Sequence, residues 1–199
     1  MRPYLALPVA FEEQEADRAR ALVMIEEGQQ RDVEAALPLL DKVLETWPDD
    51  LPVLEAKARG LLQLGRLGEA RDVCQTLLAR APRREKTLQI ATMVAQARDD
   101  PDEVIELRRR LLEVNPRSLF HRVGLATALA KRGSWTEARE ECERILRLYR
   151  PNLEARMLLV RYYLHEGDRD RARRTFDEVQ TLKPPDADRL RHWFEEQLK

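Results

Sequence analysis

The stretch LGRLGEARDVCQTLLARAP, residues 64–82, contains most of what decides the fold. Gly65 is followed by a segment whose apolar residues recur at spacings of three and four, and Pro82 closes it. Such spacing predicts an amphipathic helix, and proline cannot continue a helix. The preceding stretch, LEAKARGLLQL (54–64), has the same spacing. The sequence therefore predicts two helices that are separated by a turn at Gly65.

This pattern recurs every 34 residues. Prolines stand at positions 48, 82, 116 and 184, and Pro151 misses the remaining position by one residue. We call the residues at one position of successive repeats a column. One column holds Ala36, Ala70, Val104, Ala138 and Ala172, and another holds Val43, Leu77, Leu111, Ile145 and Val179. Five copies in phase predict a tandem repeat, in which neighbouring units bury each other's apolar faces.

Some repeats depart from the pattern. The turn column holds Gly65, Gly133 and Gly167, but Arg31 and Asp99 in the first and third repeats. Arg108 occupies a column that otherwise holds Leu40, Cys74, Cys142 and Phe176. We therefore expect the second helix of the third repeat to pack loosely or to shift relative to its counterparts. At the helix starts, Asp100 is predicted to cap the helix that opens with Pro101, and Ser134 with Glu137 predicts a capping box.

A helix–turn–helix period of this length, with small residues where helices cross and a closing proline, resembles the tetratricopeptide repeat family. The resemblance covers five repeats, 17–50, 51–84, 85–118, 119–152 and 153–186. It implies an all-α fold, a right-handed α-solenoid of consecutive helix pairs. Residues 187–199, with Leu190, Trp193, Phe194 and Leu198 apolar, predict a C-terminal helix that covers the last repeat. Residues 1–16 are expected to form an apolar extended segment or linker.

Composition narrows the class of protein. Charged residues make up 36% of the chain against 43% hydrophobic residues, which favours helices with a large solvated surface. The 29 arginines outnumber the 6 lysines, as a GC-rich bacterial genome would give, and no basic run exceeds three residues. We therefore expect no nucleic-acid partner. The apolar run from Tyr4 to Phe11 is too short for a secretory signal, and no segment approaches a membrane span. The predicted location is the cytoplasm.

No catalytic motif is present. The chain lacks a phosphate loop, a Rossmann fingerprint, a Gly-X-Ser-X-Gly elbow and an HExxH helix. The three histidines are scattered over different segments, so we expect no metal site and no cofactor. Cys74 and Cys142 stand two repeats apart, on the order of 20 Å at the usual helix spacing, beyond disulfide reach. The sequence predicts a non-enzymatic protein whose two cysteines are small core residues in a reducing compartment.

The family resemblance implies that the first helices of successive repeats line a concave groove, which binds a peptide or helix of another protein. The implied groove residues are Glu55, Arg59, Gln63, Lys86, Gln89, Met93, Gln96, Phe120, Val123, Thr127, Met157 and Arg161. Packing between neighbouring helices is the alternative role for each apolar member. The Lys–Asn pattern with which some family members clamp C-terminal carboxylates of chaperones is absent from these positions.

Trp135 shares a column with Val33, Leu67, Pro101 and Arg169, at the start of each second helix. Because three of these five residues are apolar, we expect Trp135 to pack against the helices of its own repeat, outside the groove.

Two other functions remain open at this stage. Residues 1–58 carry 13 acidic and 6 basic side chains, a net charge of −7, whereas residues 59–199 carry 23 and 29, a net charge of +6. This asymmetry predicts head-to-tail self-association through opposite charges. Alternatively, the chain is a repeat module of a larger enzyme or transport complex.

Overall fold

A computed structural model describes residues 9–199 of the protein, with side chains from residue 13 onward. Within this part the chain forms eleven α-helices and no β-strand. The helices are α1 (Val9–Glu27), α2 (Gln30–Thr46), α3 (Leu51–Gln63), α4 (Leu67–Arg80), α5 (Glu85–Ala97), α6 (Pro101–Val114), α7 (Leu119–Arg132), α8 (Trp135–Leu148), α9 (Leu153–His165), α10 (Arg169–Thr181) and α11 (Ala187–Gln197). The predicted all-α class is confirmed.

The helices form two compact units, Met1–Asp100 and Pro101–Lys199, which we call the N-terminal and C-terminal units. In the N-terminal unit α1 packs on α2 and α3 on α4, and α3 also contacts α1 and α5. In the C-terminal unit the pairs are α7 with α8 and α9 with α10, and α7 also contacts α9. Each unit thus repeats one arrangement, in which first helices of successive pairs lie beside each other.

The turns within the helix pairs use a left-handed backbone residue. Gly65, Gly133 and Gly167 have φ of 70°, 87° and 75°, a region in which glycine carries no steric penalty. Asp99 takes the same role with φ of 59°, so that turn is kept without glycine. In the first pair the turn residue is Gly28 (φ 70°), three positions before the column that we assigned to it. As a result α2 has 17 residues where α4 has 14.

The amino-terminal helix differs from the extended segment that we expected over residues 1–16. Helix α1 begins at Val9, so residues 9–16 are helical. Residues 1–8 lie outside the described residues. None of the helices in the described part has both the length and the apolar composition that a membrane span needs.

The core is built from the columns that the sequence marked as small or apolar. Ala36, Ala70, Val43 and Leu77 are fully buried in the N-terminal unit, and Ala138, Ala172, Ile145 and Val179 are buried in the C-terminal unit. The second helix of the third repeat keeps the length and the buried columns of its counterparts α4 and α8, and the expectation that it packs loosely or shifts stays a prediction. Helix α6 has 14 residues, like α4 and α8, and both Val104 and Leu111 are buried.

Helix α11 covers the last repeat, as predicted. The ring of Phe194 stacks on that of Phe176, with centroids 4.2 Å apart and an interplanar angle of 13°. Val160, Ala172 and Val179 complete this buried cluster. Leu190, Trp193 and Leu198 pack against it, so the apolar face of α11 closes a core surface that water would otherwise reach.

Four helices begin with a side-chain cap, in which Asp50, Ser118, Asn152 or Asp168 accepts a hydrogen bond from the amide three residues later. The capping box predicted for Ser134 and Glu137 is wrong. The Ser134 hydroxyl accepts a hydrogen bond from Arg132 Nε at 2.9 Å, and it does not cap α8. The Glu137 carboxylate instead accepts from Arg109 and Arg132. The Ser134 hydroxyl and the Glu137 carboxylate are therefore both hydrogen-bonded to neighbouring guanidinium groups and not to the start of α8.

Candidate functional site

Glu55, one of the predicted groove residues, lies in the core of the N-terminal unit. Its side chain is 0% exposed. Oε1 accepts hydrogen bonds from Arg84 Nε at 2.8 Å and from Thr87 Oγ1 at 3.4 Å, and Lys86 Nζ lies 3.2 Å from Oε2. Glu55 therefore joins α3 to the start of α5 and has no surface to offer a partner. Lys86 remains exposed, but its charge is engaged with Glu55.

The other predicted residues of the N-terminal unit lie on the neighbouring helices α3 and α5. Met93 is 49% exposed, Gln63 and Gln96 are also exposed, and Arg59 and Gln89 are half-buried. Within the described residues Arg59 Nε is buried and has no hydrogen-bond partner. This surface thus combines a flexible apolar side chain with three amides that can donate and accept hydrogen bonds.

The C-terminal unit contains a pocket of about 500 Å³. All five residues that we predicted there line it, namely Phe120, Val123, Thr127, Met157 and Arg161. Its remaining walls are Arg108, Leu119, Gly124, Asn152, Glu154 and Leu158. Helices α7 and α9 therefore supply most of the lining. Met157 lines the pocket and also packs against the buried cluster under α11.

Arg108, on α6, reaches this pocket from the core. The residue is only 6% exposed. Its side chain passes over α7 at Gly124, where an added Cβ would lie 2.6 Å from Arg108 Cζ and Nε. Nη1 lies 3.2 Å from His121 Nδ1, and Cζ lies 4.9 Å from the centroid of the Phe120 ring. Because a guanidinium group can only donate, His121 Nδ1 is the acceptor.

Among the described residues Arg108 has no counter-ion. Burial lowers the pKa of Arg108, because the charged form loses its solvation. No carboxylate of the described part pairs with it, and its buried Nε has no hydrogen-bond partner there. In the sequence Arg108 stands out only as a charged residue in an otherwise apolar column. A second signal was present, because the column of Gly124 holds Leu22, Ala56, Ile90 and Leu158. Gly124 lacks the side chain that the other repeats have in its column, and the long side chain of Arg108 takes up that space.

Arg161 lies on the α9 side of the pocket. It is exposed, and its Cζ lies 5.6 Å from the centroid of the Trp193 ring on α11, a cation–π arrangement. Glu154 lies about two turns before Arg161 on α9 and is the only acidic residue in the lining. The pocket therefore contains two cationic side chains and one anionic side chain.

A second hollow lies beside the first and shares Arg161 with it. Trp135, Leu164, His165, Trp193 and Gln197 form the rest of its lining. The Trp135 ring stacks on His165, with centroids 5.0 Å apart and an interplanar angle of 27°. The expectation that Trp135 packs against its own repeat is therefore corrected. Trp135 is the first residue of α8, and it meets the last residue of α9, in the following repeat.

The described residues show no group of three or more His, Cys, Asp or Glu side chains that could hold a metal ion. Neither Cys74 nor Cys142 takes part in a disulfide within the described residues, and both are buried. Burial raises the pKa of the Cys142 thiol to about 12, with smaller contributions from Glu141 and Glu143. A thiol in this state is protonated near neutral pH and is a poor nucleophile. The two hollows are lined by apolar, amide and guanidinium groups, among others.

The helix pairs repeat one design, and an apolar and basic pocket lies between the first helices of two pairs. This architecture is that of a helical-repeat scaffold for protein interactions. The family comparisons agree. The model for the Psidin N-terminal TPR repeats region matches residues 23–159, and a tetratricopeptide repeat model matches residues 129–191. The first match spans more than half of the chain. The protein belongs to this family of tetratricopeptide repeat proteins, as the resemblance in its sequence predicted.

The fold is also similar to that of MamA proteins. The structure of MamA from AMB-1 has a TM-score of 0.74 and 20% identity, covering 86% of this chain and 92% of that one. MamA from MSR-1 has a TM-score of 0.73 and 19% identity, covering 86% and 97%. MamA residues 41–end from Desulfovibrio magneticus RS-1 have a TM-score of 0.73 and 16% identity, covering 85% and 94%. The comparison with curated proteins gave no match.

Proposed function

We propose that this protein is a non-enzymatic scaffold that binds a peptide segment or a helix of another protein on the exposed faces of its first helices. Membership of the tetratricopeptide repeat family supports a scaffold for protein partners in general. The pocket between α7 and α9 supports the finer statement, because it presents apolar side chains and hydrogen-bonding groups together.

The observation that carries the proposal is the exposure of Phe120. This side chain is 70% exposed at the mouth of the pocket, where it leaves a large apolar ring in water. Val123 and Met157 continue the apolar surface into the pocket, and Thr127 adds a hydroxyl at its edge. Covering such a surface with a partner's side chains releases water and is favourable at about 25 cal/mol per Å² of apolar area. Met93 offers a smaller surface of this kind on α5.

The proposal places the protein in the cytoplasm. Its two cysteines are buried and form no disulfide within the described residues, and reduced cysteines are typical of proteins in reducing compartments.

Affinity capture from the native host, read by mass spectrometry, tests the proposal. Bait variants Phe120→Asp, Met93→Asp and Arg59→Glu each change one side chain on the proposed binding faces. We expect each to lose partners that the wild-type bait captures, because a carboxylate placed there must be desolvated on binding. Circular dichroism should show unchanged helix content.

Leu148→Asp is the matched control. Leu148 is 59% exposed at the end of α8 and takes no part in the pocket, so the same chemical change there should leave the captured set intact. Folded Phe120, Met93 and Arg59 variants that capture the wild-type set would contradict the proposed binding faces.

A further inference from the structure

Arg108 is a charged side chain at a position built for an apolar one. The equivalent residues Leu40, Cys74, Cys142 and Phe176 are all buried. A buried cation without a counter-ion costs free energy that an apolar side chain of similar size would not cost. The ring nitrogen of His121 and the face of Phe120 compensate only part of this cost. Arg108 is thus unfavourable for the folded state unless an anion joins it.

The pocket gives an anion access to Arg108. Because Gly124 has no side chain, the guanidinium group crosses α7 and forms part of the pocket lining. One of its Nη1 protons is directed to His121 Nδ1. Nε is buried without an acceptor among the described residues. A carboxylate in the pocket would accept charge-assisted hydrogen bonds from the guanidinium group of Arg108.

Two backbone donors beside the pocket are already engaged by side chains. The first turns of α7 and α9 adjoin it, but Ser118 Oγ accepts from His121 N and Asn152 Oδ1 accepts from Ala155 N. Arg161 adds a second positive charge at the rim, opposed by the single carboxylate of Glu154. The charged groups of the lining are therefore two guanidinium groups and one carboxylate, which leaves a net charge of +1.

The remaining lining selects the kind of anion. Leu119, Phe120, Val123, Met157 and Leu158 form apolar walls around Arg108. Phosphate, which carries its charge on every side, would leave these walls uncovered and would itself be desolvated by them. An acidic side chain of a peptide brings a single carboxylate on an apolar stem, and its neighbouring residues can cover the walls. The lining thus complements a carboxylate flanked by apolar groups.

We propose that the pocket between α7 and α9 receives an aspartate or glutamate side chain of the partner peptide, flanked by apolar residues, with Arg108 as its buried counter-ion and Arg161 at the rim. This proposal rests on the proposed function and specifies the chemistry of the partner. It assigns the acidic residue to the interior of the peptide, because apolar residues of both α7 and α9 line the pocket together with Arg108.

The test uses the whole chain and two pools of short peptides, acetylated and amidated at their ends and labelled with a fluorophore. Both pools carry mixed Leu, Phe, Met and Ser residues around a fixed central residue, which is Glu in one pool and Gln in the other. Fluorescence anisotropy should show the Glu pool binding about tenfold more tightly, because it forms a charge-assisted hydrogen bond that the Gln pool cannot form.

Two variants assign this preference to residues. Arg108→Leu should remove the preference and leave the weaker binding of the Gln pool, and its thermal midpoint should be no lower than that of the wild type, since the column accepts leucine at position 40. Glu154→Gln should tighten binding of the Glu pool several-fold without changing the Gln pool, because it removes the one repelling carboxylate. Because Glu154 is exposed, its substitution tests the effect of its charge on binding without disturbing the core.

Equal binding of both pools by the wild-type chain, unchanged in Arg108→Leu, would overturn this inference and leave the proposed function in place. Absence of binding by either pool would also overturn it, and the capture experiment would then decide the proposed function separately. A further pool carries Gln at the centre and a free C-terminal carboxylate. If it binds as tightly as the Glu pool, the site recognises the C-terminus of a peptide. Inorganic phosphate that displaces the Glu pool at equal concentration would make it a general anion site. Both results contradict the proposal.

Discussion

At the scale of single residues, burial sets the chemistry of Cys142. The loss of solvation, aided by Glu141 and Glu143, raises the pKa of its thiol from 9.0 to about 12. The folded chain therefore holds this proton to higher pH than the unfolded chain does. The stabilisation from Cys142 is complete below pH 9 and is lost as the pH rises toward 12. We predict that by about pH 10 this residue lowers the free energy of unfolding by about 1 kcal/mol.

Urea unfolding at about pH 8 and about pH 10 measures this effect, because the linear extrapolation gives the free energy at each pH. Other groups also titrate in this range, so the comparison is between wild type and Cys142→Ala. The variant should be less stable near pH 8, through the lost packing, but should lose less stability on going to the higher pH. Parallel losses in the two proteins would show that Cys142 carries no such linkage.

Glu55 and Arg108 show where residue-level prediction ends. Both were visible in the sequence, one as a groove position and the other as a charge in an apolar column. Their partners belong to other helices: Arg84 and Thr87 for Glu55, and His121 for Arg108. Repeat spacing gives the face of a helix on which a residue lies. It does not give the polar atoms that a neighbouring helix brings against that face, so the burial of Glu55 and the reach of Arg108 required the structure.

At the scale of helices and turns, the two glycines around the start of α4 have opposite requirements. Gly65 has φ of 70° in the turn, whereas Gly68 is helical, and a Cβ added there would meet nothing within 4 Å. We predict that Gly65→Ala lowers the free energy of unfolding by about 1 kcal/mol, because the left-handed region penalises a Cβ. Gly68→Ala should raise it by about 0.5 kcal/mol, because alanine restricts the unfolded chain and favours helix.

Chemical denaturation of the two variants beside the wild type measures these changes, and each variant is the control for the other. The added methyl group is the same and the positions are three residues apart. A shift of the same sign in both would mean that the backbone conformation at Gly65 does not set the stability of the turn.

The predictable part of the fold is the part that repeats. The small and apolar columns identified the buried residues of both units because helix packing imposes one requirement at every equivalent position. Errors arose where a local contact competes with the pattern. The first turn uses Gly28 in place of position 31, which lengthens α2. Arg132 takes the Ser134 hydroxyl that would otherwise cap α8. Such competition depends on geometry that a column of residues does not contain.

At the scale of the whole molecule, the distribution of charge along the chain has a consequence that no single contact contains. The formal net charge is only −1, yet residues 1–58 carry −7 and residues 59–199 carry +6. Opposite net charges on two parts of one chain attract the unlike parts of two copies. This attraction reaches about 30 Å at 0.01 M salt and about 8 Å at 0.15 M salt, because mobile ions screen it.

We predict that the protein self-associates at low ionic strength and returns to its monomer mass of 23.3 kDa near physiological salt. Light scattering over a salt series measures the mean mass. Glu26→Lys with Glu27→Lys should weaken association, because these changes at two exposed positions reduce the net charge of residues 1–58 from −7 to −3. Glu140→Lys with Glu195→Lys makes the same change of charge in the basic part and should preserve association. A mass above the monomer at every salt concentration would indicate an apolar interface, and a monomer throughout would show that the asymmetry is too weak to join two copies.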